Sequence, residues 1–179
     1  MRALAMAFAR CGIATLRFNF PFIEAGRKRV DPPVVAIAAI VAACVEACAR
    51  TSLPLWLGGH SFGGRMASHA VLDPALGRAP VGLIFCSFPL HPPREPAIER
   101  ARHLKVVRQP MLFLSGTRDA LAERELLELV VRDLPTAKLH WLDTADHGYH
   151  VLTRTRGSEE DVFGELARVA RSFIEAHPP

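Results

Sequence analysis

The chain has 179 residues, half of them hydrophobic and 22% charged, which suits one globular domain (1–179) with a sizeable core. Its net charge of +4 is spread over scattered arginines, with no aromatic-basic platform, so nucleic acid is not an expected partner. Cys44 and Cys48 lie one helical turn apart, poor disulfide geometry, and with Cys11 and Cys86 they complete no zinc pattern. All four read as thiols of a reducing cytoplasm, and no metal is expected.

In chain order, Met1 to Arg10 carries a short apolar stretch broken by Arg10. It reads as an amphipathic helix ending at Gly12 rather than as a signal peptide. Ile13 to Phe18 is a β-rich run. Asn19 to Pro33 reads as a loop with the basic triplet Arg27-Lys28-Arg29. Asp31 is placed to cap a helix starting at Pro32-Pro33 and running to about Arg50, with Val34, Ile37, Val41, Cys44 and Cys48 along its inner side. The longest apolar run, Val34 to Val45, is shorter than a bilayer requires, so no membrane partner is expected.

Leu55 to Leu57 predicts a strand, and Phe62 to about Leu72 a helix closed by Asp73-Pro74. Val81 to Cys86 is nearly all apolar, as in a strand covered on both faces. His91 to Gln109 is an excursion rich in proline and arginine. Met111 to Leu114 predicts a further buried strand, Glu123 to Leu134 a helix, Lys138 to Leu142 a strand and Glu159 to Ala176 the last helix. Strands alternating with helices argue for an α/β fold with a parallel sheet.

The chemistry centres on Gly59-His60-Ser61-Phe62-Gly63, a Gly-x-Ser-x-Gly stretch between strand and helix. A serine on such a turn is thrust out with its hydroxyl exposed, at a helix N-terminus with free N–H groups. Asp119 follows the next-but-one strand, in Gly116-Thr117-Arg118-Asp119. His147 follows the last strand. The order Ser, Asp, His is that of α/β-hydrolases. Serine is a poor nucleophile at neutral pH without a base. His147 is the candidate base, Asp119 the acid that orients it, and the Phe62 N–H an oxyanion donor. The plainer alternatives are a turn serine, a helix-capping Asp119 and a surface His147. Asp146 is a rival acid. His60 and His69 read as packing or polar-network residues rather than bases, with His60 and His91 also candidate substrate contacts. Arg94, Arg100 and Arg102 read as solvated surface, with an acidic substrate as the alternative.

The stretch Gly59 to Ser68 resembles the small α/β-hydrolase group related to dienelactone hydrolases, which includes testis-expressed protein 30 and the hydrolase-like domain of a chromatin-complex subunit. Arg17 to Phe22, Phe88 to Pro93 with Arg102-His103-Leu104, and Pro110 to Asp119 carry the same resemblance. It implies the triad Ser61, Asp119 and His147, a parallel-sheet α/β-hydrolase fold with helices on both faces, a small-molecule ester substrate, and neither metal nor organic cofactor. It also implies initial strands and a His-Gly-rich loop that do not occur here, so an N-terminally truncated fold is expected. The vacant slot would leave Ile13–Phe18 and Leu55–Leu57 about 9–10 Å apart unless they close up or another chain supplies the missing piece. Without the loop's oxyanion donor, turnover is expected to fall about 10²–10³-fold. The functional expectation is a serine hydrolase of a small carboxylic ester or thioester. The alternative is a non-catalytic interaction module on the same scaffold.

Overall fold

Four of the five β-rich runs become strands of one parallel sheet in the computed structural model, which describes residues 1–179. The strands are β1 (Trp56–His60), β2 (Gly82–Cys86), β3 (Met111–Gly116) and β4 (Ala137–Leu142), in the spatial order β1-β2-β3-β4. The helices are α1 (Arg2–Arg10), α2 (Pro21–Glu24), α3 (Pro33–Arg50), α4 (Phe62–Ala70), α5 (Arg124–Arg132) and α6 (Val162–Glu175). Two short 3₁₀ helices, Pro74–Leu76 and Glu99–Val106, complete the chain.

The central strands are buried along their whole length, and their side chains alternate between two cores. Leu83, Phe85, Met111 and Phe113 face α3, α4 and α5, where Met66, Ala67, Leu127 and Ala36 meet them. Ile84, Cys86, Leu112 and Leu114 face α1 and α6, against Leu4, Leu166, Ala170 and Phe173. Helices therefore cover both faces, as expected for this fold. The register pairs His60 with Cys86, Cys86 with Leu114 and Leu114 with His140, so the loops after the strands open on one edge.

Ile13–Phe18 is the exception. It forms no strand, and β1 pairs with β2 alone. The two runs do not close up. A β-rich run becomes a strand only when another strand takes up its backbone groups, and Ile13–Phe18 meets none.

Asp31 does not cap α3, whose N-cap is Pro32. Pro32 and Pro33 have no N–H to offer. Asp31 is instead buried and accepts hydrogen bonds from the Phe22 N–H (2.9 Å) and from Arg27 (2.6 Å), folding the chain around α2. The inner side of α3 is Ala36, Ile40 and Cys44, with Ile37 and Val41 beside it, while Val34 is 73% exposed. The buried stripe, with Ala36 fully enclosed, is therefore rotated from the expected one, and α3 packs on α4. By length and composition α3 is apolar enough to cross a membrane (18 residues, mean hydropathy 1.9). The helix runs on past the apolar run Val34–Val45, through Glu46, to Arg50 as expected. Cys44 and Cys86 are core thiols, pushed up by burial to about 11 and about 12 respectively.

Candidate active site

Ser61 leaves β1 and enters α4 in one residue. Its φ of 52° and ψ of −117° are a conformation that non-glycine residues avoid, held here by the packing on either side. The Ser61 N–H donates to the Cys86 carbonyl (2.9 Å), which continues the β1–β2 ladder into the turn. The turn also needs backbones in contact. A Cβ on Gly59 would lie 2.8 Å from Gly63 C, and one on Gly64 only 2.6 Å from the Gly59 carbonyl oxygen. Gly63 has room, with Phe20 Cε2 at 3.8 Å. The sterically required pair is thus Gly59 and Gly64, one residue beyond the motif.

The three triad candidates meet. The Ser61 hydroxyl donates to His147 Nε2 at 2.8 Å. His147 Nδ1–H donates to Asp119, whose two oxygens are both 2.9 Å away. Asp119 is buried, and its Oδ1 also accepts from the Leu121 N–H at 2.9 Å. Since α5 starts only at Arg124, Asp119 is not its cap. The imidazole tautomer follows: with Nδ1 facing a carboxylate, the lone pair is on Nε2, toward the serine. Phe62 opens α4, where backbone N–H groups lack intrahelical partners. Its ring is packed edge-on against Phe20 (5.4 Å) and Phe22 (6.1 Å), which wall that flank.

Asp146 is turned away from the imidazole. Its Oδ1 accepts from the Gly148 N–H (2.8 Å) and the His150 N–H (2.9 Å). Burial pushes its carboxyl up, but the hydrogen bonds from His150 and Gly148 outweigh this and leave it below the ordinary value.

The two expected substrate contacts have other duties. His60 Nε2–H donates to the His147 carbonyl at 2.7 Å, tying the serine turn to the base loop. Burial holds His60 below its usual pKa, although the bond to the His147 carbonyl works against this. His91 is buried. Its Nδ1–H donates to the Pro92 carbonyl at 2.8 Å, and Nε2 is held by Glu123. With both nitrogens engaged, His91 pins the excursion to the loop before α5, and is no free substrate contact. His69 takes no part in the triad's hydrogen bonds and is stacked on His103 with ring centroids 3.7 Å apart. Arg102 pairs with Glu99 on the surface (2.8 Å).

Sequence reasoning missed the partners that hold the site: His60 on His147, Glu123 on His91, and the Phe20 and Phe22 wall. It also missed Tyr149, buried with φ 66°, whose hydroxyl donates to the Leu114 carbonyl (3.0 Å). The spacing of Phe18, Phe20 and Phe22 by two residues was the available signal for the wall.

A family model described as an alpha/beta hydrolase domain matches residues 1–175. Among solved structures, the chain is similar to an α/β serine hydrolase without lid from Xanthomonas campestris, at 22% identity and a TM-score of 0.69, over 99% of this chain and 74% of that one. It is also similar to an esterase domain from Rhodothermus marinus (17% identity, TM-score 0.69, covering 98% and 80%). A monoacylglycerol lipase from Paleococcus ferrophilus gives 15% identity and a TM-score of 0.69, covering 98% and 88%. At these identities the likeness is one of fold.

Proposed function

The chain belongs to the alpha/beta hydrolase family, and from that membership we propose a serine hydrolase that cleaves a small carboxylic ester or thioester through an acyl-enzyme on Ser61. Within the family, its sequence motifs favour the group related to dienelactone hydrolases, and its four free thiols favour a cytoplasmic enzyme. The observation that carries the reading is the unbroken hydrogen-bonded chain from Ser61 through His147 to Asp119.

In the first half-reaction, His147 Nε2 takes the Ser61 proton as Oγ attacks the carbonyl carbon. The tetrahedral oxyanion is held by the Phe62 N–H. Asp119 stays ionised and stabilises the imidazolium. Collapse breaks the bond to the leaving group, which departs with the proton from His147. In the second half, His147 deprotonates a water that attacks the acyl carbon, and the acid leaves as Ser61 regains its proton. Every step uses side chains and backbone groups of this chain.

A fluorophosphonate probe tests the proposal. The expected result is one adduct on Ser61, lost in Ser61→Ala and suppressed by a short-chain nitrophenyl ester. Folded protein that neither labels nor turns over such esters would refute it in favour of a non-catalytic module.

A further inference from the structure

Below the serine turn lies a cluster of basic groups that the proposed mechanism does not use. On α4, Arg65 and His69 are four residues apart and so share one side of the helix. On the 3₁₀ helix Glu99–Val106, Arg100 and His103 are three apart and likewise share one edge. The two edges face each other, because the His69 and His103 rings stack at 3.7 Å and 15°. All four residues are half-buried, and none forms an ion pair with a carboxylate.

The internal bonds leave donors free. The Ser68 hydroxyl donates to the Arg65 carbonyl (2.6 Å), so His103 Nε2–H donates to Ser68 Oγ (2.8 Å). His103 is thereby fixed as the platform under His69, whose own nitrogens bond nothing in the protein. After burial, the charges acting on these groups are all positive: Arg100 on Arg65, Arg65 on His69. A partly buried concentration of like charge is unfavourable unless an anion joins it. Two fixed guanidinium charges beside an imidazole donor match a phosphate dianion. A carboxylate would balance only one of them.

We infer that Arg65, His69 and Arg100, with His103 as their platform, form a subsite for a phosphate group carried by the substrate. Arg65 and His69 lie one and two helical turns from Ser61, about 6 and 12 Å along the axis. The substrate class is accordingly an ester or thioester that carries a phosphate remote from the scissile bond. The word substrate rests on the serine-hydrolase reading; the anion site itself does not.

The experiment has two arms. In the first, inorganic phosphate is titrated calorimetrically into the full chain, its R65Q/R100Q variant and its R102Q variant. Arg102 is on the same 3₁₀ helix but paired with Glu99. Saturable binding that weakens about tenfold or more in R65Q/R100Q and persists in R102Q is expected. No saturable binding, or equal loss in R102Q, overturns the site. In the second arm, kcat/KM is compared for a neutral nitrophenyl ester and one with a terminal phosphate on its acyl chain. The phosphorylated ester is expected to be preferred, through KM, with the preference abolished in R65Q/R100Q. Phosphate binding with no such preference overturns the substrate assignment. If neither ester turns over, the hydrolase reading fails, and the titration still decides the anion site.

Discussion

Replacing Asp119 by Asn changes one buried charge and leaves its shape. The Asn carbonyl oxygen can keep the 2.9 Å bond from the Leu121 N–H. Its amide then turns N–H groups toward His147 Nδ1, where the carboxylate accepted at 2.9 Å. The imidazole answers by moving its proton to Nε2, the nitrogen 2.8 Å from Ser61 Oγ. A protonated Nε2 cannot take the serine proton, and the imidazolium loses its counter-charge. In the Ser-His-Asp template this exchange lowers kcat about 10⁴-fold, which at 1.36 kcal/mol per decade is about 5 kcal/mol of transition-state stabilisation. The assay is steady-state hydrolysis of a short nitrophenyl ester, with fluorophosphonate labelling rates and a melting curve as controls. KM and the melting temperature are expected to move little. Asp146→Asn is the matched comparison. Its amide oxygen can still accept from Gly148 and His150, and it should stay within a few-fold of wild type. A D119N enzyme within about tenfold of wild type, or an equal loss in D146N, would refute the assignment of the acid.

Three further outcomes are expected. Gly64→Ala places a Cβ 2.6 Å from the Gly59 carbonyl oxygen and should destabilise by about 1–3 kcal/mol with loss of labelling, while Gly63→Ala is mild; similar denaturation midpoints for the two would contradict the interlocked turn. His60→Phe strips the His147 carbonyl of its donor and should lower kcat about tenfold, with His60→Gln restoring much of it and KM nearly constant; equal kcat in both variants would discount the bond. His103 is pushed from 6.5 to about 4 by burial, then by the charges of His69 and Arg65. The unfolded chain binds its proton near pH 6.5 and the folded chain only near 4, so stability should fall as pH drops through that window. Melting temperatures across the range should fall less steeply in His103→Gln, and an unchanged slope would remove His103 as the cause.

Local rules located most of the elements. The runs at Val81–Cys86 and Met111–Leu114 were readable as strands because a parallel strand buried on both faces is apolar throughout. The serine turn was readable because strand, glycines and helix adjoin in sequence. Asp31 and the inner stripe of α3 were misjudged for related reasons. The capping rule ignores that two prolines offer no N–H, and periodicity alone does not say which side of α3 packs on the rest of the core. Ile13–Phe18 shows the limit of β propensity, since a strand exists only where a neighbour accepts its ladder.

The amino-acid sequence by itself determined the order of strands and helices and the strained turn around Ser61. These depend on residues that are neighbours along the chain. Tertiary structure alone decided which acid faces His147, since Asp119 and Asp146 are both near strand ends and only the buried one points at the ring. It likewise decided that His60 holds the base loop and His91 the excursion, and that Arg65, His69, Arg100 and His103 share one surface. The contacts that carry these outcomes join residues far apart in sequence, 28 positions for His147 with Asp119 and 87 for His60 with His147. Packing of whole elements sets such contacts, and no local pattern encodes them.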